Sequence, residues 1–436
     1  MSGREKRPLV PRLRFPEFQE TGAWEQRALS HYIESLDAGV SVNSGDRPAR
    51  GGEIGILKTS CVTNGYFDSA ENKVVQEPKE VARVKEPVRA NTIVISRMNT
   101  IALVGANAFV KNNIPNLFLP DRLWAAKPTG AGNMRFLAYI LGSEQGRSTL
   151  SELASGSSGT MKNIGKSEVL ALQIAAPSLA EQQKISNCLS SLEDQILAET
   201  QKLNILKTHK KGLMQLLFPH EGETVPRLRF PEFRGAGEWA VKKLAEVCNV
   251  LQGYGFPEVL QGRGDGKYPF CKVSDISRAV AERGGLLVEA ANYVGDDDLL
   301  KLRAKTIPKG ATVFAKIGEA LRLNRRAYVQ EECLIDNNAT GLKAIDGGSD
   351  DYFIYLMSQL IDLNKHCGGA VPSVNKSTLE EIEVIVPGFD EQKKIAESLS
   401  CLDNLISAQS QKIDALNTHK KGLMQQLFPV LDEVSV

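Results

Sequence analysis

Apolar residues recur at alternating spacings of four and three in two long stretches of the chain, residues 181–219 and 391–429. This spacing places the apolar side chains in one stripe along one face of an α-helix. A helix over 181–217 would be roughly 55 Å long, at about 1.5 Å per residue. A stripe of that length needs a partner, and the other copy is the simplest one, as in a coiled coil. The predicted pairing residues are Ile185, Leu189, Leu192, Ile196, Leu203 and Leu206 in the first copy and Ile395, Leu399, Leu402, Ile406, Ile413 and Leu416 in the second.

The two stretches are copies of one sequence. They align without a gap at an offset of 210 positions, and the segment THKKGLMQ is identical at 208–215 and 418–425. A second repeat precedes each half, because VPRLRFPEF occupies both 10–18 and 225–233. The chain therefore predicts an internal duplication and a pseudo-two-fold molecule, with the end of the second helix close to the N-terminal arm.

Between arm and helix, each half carries a region of short apolar runs bounded by Gly, Asn and Pro. The runs rich in β-branched residues predict strands, and the longer apolar patterns predict helices. Strands are expected at 52–67, 91–110 and 169–177 and at 267–280, 310–329 and 382–387, with helices at 134–154 and 350–365.

The expected fold class is α+β, with two globular mixed domains and two long coiled-coil helices. Four segments are expected along the chain: an arm with the first domain, a helix, a second arm with the second domain, and a second helix with the tail. Their predicted boundaries are 1–178, 179–219, 220–388 and 389–436.

The composition is that of an ordinary globular protein, with 42% apolar and 24% charged residues and a formal net charge of +1. Any basic surface for nucleic acid must therefore be local. No apolar run approaches the roughly 18 residues of a membrane span, and no signal peptide is apparent, so we expect a cytoplasmic protein. The scattered cysteines favour a reducing compartment and argue against disulfides or a zinc site. They are Cys61, Cys188, Cys248, Cys271, Cys333, Cys367 and Cys401.

The sequence contains no recognisable catalytic constellation. The segment GTMKNIGKS at 159–167 has five residues, where a phosphate-binding loop has four, between its first glycine and Gly-Lys-Ser. His209 and His419 lie in the matching THKKG segments, where a helix-surface role is expected. We therefore expect no catalytic residue, no metal and no cofactor in this chain.

With this layout, the chain resembles the DNA-specificity subunit of Type I restriction–modification systems over essentially its full length. The resemblance is carried by the opening from Pro177 to Ile185, repeated from Pro387 to Ile395, by the ending KKGLMQ-x-LFP, and by the VPRLRFPEF arm. The arrangement of two variable domains with two nearly identical helices is more specific than any one motif.

The resemblance implies a non-catalytic subunit of a phage-defence complex. Each domain would be a target-recognition domain that reads one half of a bipartite site in double-stranded DNA. The helices would pair antiparallel, set the gap between half-sites and dock two methyltransferase subunits, which carry S-adenosylmethionine. Motor–nuclease restriction subunits with ATP and Mg would complete the complex, and the modified adenine would flip into the methyltransferase.

Candidate DNA-binding residues follow from chemistry, since base edges are read by Arg, Lys, Asn, Gln and Ser, and phosphates mostly by Arg and Lys. Taken singly, each of these residues is as readily explained by a solvated surface position as by a contact with DNA. Two pairs, Lys58 with Lys272 and Arg97 with Lys316, are favoured because a basic group recurs at equivalent places. The candidates are Lys58, Ser60, Arg97, Asn99, Lys162, Asn163 and Lys166 in the first domain and Lys272, Ser274, Lys316, Arg322, Arg325, Arg326, Asn375 and Lys376 in the second.

Two other functions fit the same pattern. A stand-alone DNA-binding regulator would bind specific DNA tightly without a methyltransferase. A coiled-coil adaptor for other proteins would show no salt-dependent DNA binding. A self-sufficient methyltransferase or nuclease is disfavoured by the missing motifs.

Overall fold

The computed structural model describes residues 9–155, 161–368 and 371–429, which fold into two compact units. Unit 1 consists of Met1–Leu197 and Ala415–Val436, and unit 2 of Ala198–Asp414. Each unit holds one globular domain together with one end of each long helix. The class is α+β, as the sequence predicts.

The elements of unit 1 are short strands, four short helices and the start of the first long helix. Its strands are β1 (Glu25–Ala28), β2 (Ile33–Ala38), β3 (Gly55–Leu57), β4 (Asn72–Val74), β5 (Pro87–Val88), β6 (Thr92–Ser96), β7 (Met98–Asn99), β8 (Asn107–Val110), β9 (Ile114–Phe118), β10 (Leu123–Pro128), β11 (Lys162–Asn163) and β12 (Gln173–Ala176). Its helices are α1 (Pro78–Val81), α2 (Met134–Gly142), α3 (Glu144–Glu152), α4 (Lys166–Ala171) and α5 (Leu179–Leu217), which continues into unit 2.

The central sheet of unit 1 is antiparallel, with the order β2-β10-β6-β8. The second sheet, β4-β3-β9-β5, contains one parallel pair, β3 with β9. Strand β6 lies between two cores, because its successive side chains point to opposite faces. Ile93 and Ile95 pack with Trp124 and Phe136, whereas Val94 packs with the apolar residues of the second sheet. This explains why β6 is apolar without alternation.

Unit 2 is built from a comparable set of elements. Its strands are β13 (Ala240–Lys243), β14 (Cys248–Gln252), β15 (Tyr268–Cys271), β16 (Leu286–Leu287), β17 (Tyr293–Val294), β18 (Thr312–Ala315), β19 (Ala327–Val329), β20 (Leu334–Ile335), β21 (Ala339–Ala344) and β22 (Glu383–Val386). Its helices are α6 (Val273–Glu282), α7 (Asp296–Leu302), α8 (Glu319–Arg322), α9 (Asp351–Leu360), α10 (Lys376–Glu380) and α11 (Phe389–Leu427), which continues into unit 1.

The two units share one topology. The sheet β14-β21-β18-β19 repeats the order of β2-β10-β6-β8, with β16 added at its edge. Strand β15 pairs in parallel with β20 and antiparallel with β17, as β3 does with β9 and β4. In each unit a strand after the arm pairs with the strand that precedes the long helix, β1 with β12 and β13 with β22. The duplication therefore extends to domains whose sequences have diverged.

Two segments predicted as strands are helical. Residues 273–280 belong to α6, and residues 169–171 belong to α4. Asp275 accepts a hydrogen bond from the backbone N–H of Lys272 (2.8 Å), and Glu168 plays the same capping role at the start of α4. Those predictions were wrong because a carboxylate three residues after the helix start stabilises the first turn and outweighs β-branched propensity.

The two long helices, α5 and α11, are continuous, as predicted. The ends of the apolar stripe serve the globular cores as well as helix pairing, which is a correction to the simple coiled-coil prediction. Ile185 and Leu189 are buried in the unit 1 core beside Leu427, and Ile395 and Leu399 are buried in the unit 2 core. Away from these ends the stripe is less covered: Ile406 is buried, whereas Leu192, Ile196, Leu203, Leu206, Leu402, Ile413 and Leu416 are half-buried.

Within unit 2, the helices run antiparallel. Glu199 of α5 accepts hydrogen bonds from Gln409 and Lys412 of α11, while Lys210, farther along α5, contacts Asp403, earlier in α11. Rising numbers on one helix thus match falling numbers on the other. None of the helices in the described ranges is long and apolar enough to cross a membrane.

The repeated arm is anchored to a long helix by a buried ion pair in each unit. Arg14 binds Glu181 through two hydrogen bonds (2.8 and 2.7 Å), and Arg229 binds Glu391 in the same way (2.7 Å each). In unit 1 the backbone N–H of Leu13 also donates to the carbonyl of Gln426, near the end of α11. The prediction that the second helix ends beside the N-terminal arm is confirmed.

Candidate nucleic-acid interface

Four of the predicted DNA-binding residues come together in unit 1. Strands β7 and β11 form an antiparallel pair in which Asn99 lies opposite Lys162, with Asn163 the next residue of β11. Arg97 directly precedes β7, and its carbonyl accepts a hydrogen bond from the backbone N–H of Ile164 (3.1 Å). We call residues 97–99 with 162–164 the unit 1 paired loop. Residues 159–160 of the neighbouring glycine-rich segment lie outside the described residues.

Unit 2 contains the same arrangement. Ile317 forms a bridge with Ser373, and the backbone N–H of Val374 donates to the carbonyl of Lys316 (2.9 Å). We call residues 316–318 with 372–374 the unit 2 paired loop. Lys316 occupies the place that Arg97 has in unit 1, so the predicted positional equivalence of these two cations is confirmed.

The Arg97 side chain packs against an aromatic ring. Its guanidinium carbon lies 5.9 Å from the centre of the Trp124 ring. Its Nε is buried and makes no hydrogen bond within the described parts of the chain. A guanidinium held against an aromatic face is suited to planar recognition of a base edge or a phosphate.

The sequence interpretation missed apolar side chains in the paired loops. Side chains that lie directly opposite each other in an antiparallel pair share one face of the pair. Successive side chains along a strand alternate between faces, so the residue after each cation lies on the face opposite to that of the cation. The structure places Met98 and Ile317 at that next position, with Ile317 38% exposed. Ile101 and Val371, close in sequence to each loop, are also exposed. The signal in the sequence was an apolar residue directly after both Arg97 and Lys316, and such residues can contact a thymine methyl group.

Lys58 and Ser60 lie at the end of β3, and both contact Glu71. The Lys58 Nζ is 3.4 Å from the Glu71 carboxylate, and the Ser60 hydroxyl donates to the same oxygen. The hydrogen bond from Ser60, together with the charge of Lys58, lowers the pKa of Glu71. Lys58 is therefore partly neutralised within the protein, which weakens it as a phosphate contact.

Lys272 holds the equivalent place at the end of β15. It caps α6, donates from its Nζ to the side chain of Gln261 (2.8 Å) and lies 5.1 Å from the ring centre of Phe256. Ser274 is exposed on the first turn of α6. The recurrence of a lysine after β3 and β15 is confirmed, although the following turn differs between units.

The basic cluster at 322–326 divides between surface and interior. Arg322 is exposed and pairs with Glu319 (3.4 Å), and Arg325 is half-buried. Arg326 is only 4% exposed, with its guanidinium 4.4 Å from the ring centre of Phe314 and hydrogen-bonded to the carbonyl of Ile361 (3.2 Å).

Arg326 is a correction to the predicted DNA surface. Burial lowers its pKa to about 10, and its contacts hold the loop to the core. It is part of the interior of unit 2. The basic surface of this segment is therefore limited to Arg322 and Arg325.

The remaining candidates lie at helix starts beside the paired loops. Lys166 is the first residue of α4 and is exposed. Asn375 caps α10, accepting a hydrogen bond from the backbone N–H of Thr378 (2.8 Å), and Lys376 follows it, 3.5 Å from Glu380. Asn375 thus has a local structural role whether or not it meets a ligand.

Each unit also contains a partly buried tyrosine–carboxylate–lysine triad that joins its domain to both long helices. In unit 1, Tyr139 of α2 donates to Glu193 of α5 (2.7 Å), which also accepts from Lys420 of α11 (2.7 Å). In unit 2, Tyr352 of α9 donates to Asp403 of α11, which also accepts from Lys210 of α5 (2.6 and 2.7 Å). Burial and the carboxylate raise the pKa of both tyrosines well above the ordinary value, so both keep their protons.

No group of three or more His, Cys, Asp or Glu side chains in the described residues is placed to hold a metal ion. The seven cysteines are free thiols, and burial raises the pKa of Cys61 and Cys248 to about 12. Those two thiols are therefore protonated at neutral pH and poor nucleophiles.

Two α+β units, each with an anchored arm, a paired loop carrying a cation, and a triad on two long helices, define an internally duplicated protein. The family model described as Type I restriction modification DNA specificity domain matches the chain twice, over residues 24–208 and 236–418. These two matches cover most of the chain, so the protein belongs to this family.

Individual relatives agree with the family. The chain is 22% identical over 423 residues to the putative type I restriction enzyme MjaX specificity subunit of Methanocaldococcus jannaschii, which covers 93% of this chain and 92% of that protein. It is 25% identical over 219 residues to the MjaVIII specificity subunit of the same organism, covering 50% of this chain and 47% of that one.

Among solved structures, the fold is similar to the crystal structure of the Type-I restriction-modification system S subunit from M. genitalium. The TM-score is 0.64 at 16% identity, over 97% of this chain and 100% of that chain. A chain from a structure on complex assembly and conformational transition of the type I R-M system gives a TM-score of 0.50 at 15% identity, over 93% and 97% of the two chains. Both likenesses show the fold.

Proposed function

We propose that this protein is the non-catalytic specificity subunit that directs a Type I methyltransferase or restriction complex to a bipartite, asymmetric site in double-stranded DNA. Each unit reads one half-site. The observation that carries this proposal is the pair of paired loops, which share a backbone arrangement but present different side chains. The two loops have equivalent backbone pairings. One carries Arg97, Met98 and Asn163 and the other carries Lys316 and its neighbours, which suits two different half-sites.

Within each unit, the roles divide by chemistry. The paired loops present base-reading groups, since amide, guanidinium and aliphatic side chains match the pattern of the major groove. The exposed cations near them, Lys166, Arg322 and Lys376, provide phosphate contacts that position the domain. Phosphate contacts of this kind make binding salt-dependent.

The long helices supply two equivalent docking surfaces, one for each methyltransferase subunit. The segment 208–215 is identical to 418–425, and its identity includes exposed positions such as His209 and His419. Packing within the chain does not require identity at exposed positions. Two sites that bind the same partner do need the same exposed residues, so the identity of these segments supports the binding of two copies of one subunit.

The chemistry resides in these partners. The methyltransferase subunits bind S-adenosylmethionine and receive the flipped adenine, and motor–nuclease restriction subunits use ATP and Mg. The present chain contributes recognition and spacing. It works in the cytoplasm, which contains its DNA target and is a reducing compartment suited to its free cysteines.

The test is to map methylated adenines in a host that carries this chain with its cognate methyltransferase. We expect a bipartite motif with two unrelated half-sites. Lys316→Ala should relax one position in a single half-site, because one base contact contributes about 1–3 kcal/mol of discrimination. Methylation without a motif, or tight specific binding by the chain with no methyltransferase association, would instead support the regulator. Absence of salt-dependent DNA binding would support the adaptor.

A further inference from the structure

Each unit has a tight turn beside the cation of its paired loop. The unit 1 turn, residues 120–123, leads into β10, and the unit 2 turn, residues 336–339, leads into β21. In each turn the backbone N–H of the last residue donates to the carbonyl of the first (3.3 Å in unit 1 and 3.0 Å in unit 2). The same backbone feature therefore lies at the same place in both units.

The third residue of each turn lies directly opposite the cation of the paired loop. The backbone N–H of Arg97 donates to the carbonyl of Arg122 (3.0 Å), and the backbone N–H of Lys316 donates to the carbonyl of Asn338 (2.8 Å). These contacts extend the antiparallel registers of β6 with β10 and of β18 with β21 by one residue. The Cβ atoms of directly opposite residues are about 4.5–5.5 Å apart in such a pair. Arg122 is thus an immediate neighbour of Arg97, and the sequence interpretation did not include it.

Unit 1 therefore places two arginines opposite each other. Arg122 is exposed, and Arg97 is half-buried. No ion pair joins either guanidinium to a carboxylate in the described parts of the chain. Like charges that lie directly opposite in an antiparallel pair are destabilising. The charge of Arg122 does not help the fold, which points to a ligand that offers hydrogen-bond acceptors.

The backbone of the turn does not require an arginine at this position. Backbone atoms close both turns in the same way, although unit 2 has Asn338 where unit 1 has Arg122. A contact with phosphate would be equally useful in both units, because phosphate positions the protein and carries no sequence information. A contact with a base changes when the half-site changes. The replacement of the cation by an amide in unit 2 therefore favours base reading.

We propose that Arg122 is a specificity-determining residue that reads a guanine of the unit 1 half-site, beside the base read by Arg97. The proposal rests on the proposed function and adds to it one residue and one base. A guanidinium can donate two hydrogen bonds to O6 and N7 of guanine, which is the commonest specific contact in the major groove. An amide matches adenine rather than guanine, so Asn338 does not give unit 2 the same preference.

The test maps methylated adenines in a host that carries the full-length chain with its cognate methyltransferase. The chain is wild type, Arg122→Ala or Arg122→Asn, and asparagine fits the equivalent turn of unit 2. One wild-type half-site should contain a guanine that neither variant requires, with discrimination at that position reduced about 5- to 150-fold. It should be the half-site that Lys316→Ala leaves unchanged. The other positions and the gap should stay as in wild type.

The matched control is Arg89→Ala. Arg89 is an exposed arginine of unit 1 that precedes β6, whereas Arg97 follows the end of the same strand. Its substitution should leave the methylated motif unchanged. Thermal unfolding provides a second measurement, in which Arg122→Asn should have a Tm no lower than that of wild type, because it removes the repulsion between opposed arginines.

Three results would overturn the inference and leave the proposed function intact. They are an unchanged motif in both Arg122 variants, relaxation of the half-site that Lys316→Ala also relaxes, and a lower Tm for Arg122→Asn, which would give Arg122 a structural role. Fluorescence anisotropy that shows the same loss of affinity for every DNA sequence would assign Arg122 to a phosphate and overturn it too. A wild-type complex that methylates no bipartite motif overturns the proposed function itself.

Discussion

At the residue scale, the arm of each unit is anchored by an ion pair whose two side chains are both buried. Arg14 and Glu181 are 7% and 1% exposed, and Arg229 and Glu391 are 9% and 4% exposed. The hydrogen bond to Glu181 raises the pKa of Arg14, so the guanidinium stays charged. The arginine also donates to the carbonyl of Thr21, which ties the arm to itself as well as to the helix.

Removing one member of this pair should be costly, because it leaves the other charge buried and unpaired. We expect Arg14→Ala to lower the free energy of unfolding by about 3 kcal/mol, measured by urea denaturation. The control is Lys184→Ala, which removes an exposed pair with Glu17 in the same region and should change stability little. Equal effects of the two substitutions would show that the buried pair is not an anchor.

Two neighbouring arginines in unit 2 should behave in opposite ways. Arg326→Ala should lower the free energy of unfolding by about 2 kcal/mol, since it removes packing on Phe314 and the hydrogen bond to Ile361. Arg325→Ala should leave stability unchanged and weaken DNA binding, with a salt slope reduced by about one. Unfolding curves and fluorescence anisotropy at several salt concentrations measure the two effects. If Arg325→Ala and Lys316→Ala both leave binding and its salt slope unchanged, the assigned surface of unit 2 is wrong.

At the element scale, the triads connect each domain to both long helices. Each joins a domain helix, α2 or α9, to α5 and α11 through one carboxylate. The connection recurs although the carboxylate is Glu193 in one unit and Asp403 in the other. Recurrence with different residue types indicates that the connection itself is needed.

The triads differ in their carboxylate, Glu193 in unit 1 and Asp403 in unit 2, and this difference provides a test. Asp403→Asn should lower the free energy of unfolding by about 3 kcal/mol, because it leaves the Lys210 ammonium, 14% exposed, without its counter-charge. Tyr352→Phe should cost only about 1 kcal/mol, since it removes one hydrogen bond. Asp403→Glu, which reproduces the chemistry of unit 1, should retain most of the stability. A loss for Asp403→Glu as large as for Asp403→Asn would contradict this account.

At the scale of the whole molecule, the two long helices act as a ruler under the proposed function. Each helix has 39 residues, roughly 58 Å at about 1.5 Å per residue. The length of the helices, rather than the recognition surfaces, should therefore set the gap between half-sites.

Lengthening both helices tests the ruler directly. Inserting one heptad into each, between Thr200 and Leu203 and at the equivalent place in α11, preserves the apolar stripe. It adds roughly 10 Å, or about three base pairs. Mapping of methylated adenines should show unchanged half-site sequences with a longer gap. An unchanged gap would rule out the ruler, although not the recognition role of the units.

Much of the architecture was predictable from sequence because its signals are local or repeated. The apolar stripe predicts α5 and α11, and the duplicated arm and helix predict two similar units. Lys316 was aligned with Arg97 by position in the repeat, and the backbone contacts confirm that alignment. Local capping was harder to detect, so 273–280 was predicted as a strand although Asp275 stabilises the first turn of a helix there.

The sequence by itself determined the duplication, the α+β class, the two helices and the resemblance to Type I specificity subunits, since periodicity and repetition are visible along one chain. Only the tertiary structure decided which side chains face outward. Arg326 and Arg325 are adjacent and chemically identical, yet one is buried, because burial depends on Phe314 and Ile361, which are distant in sequence.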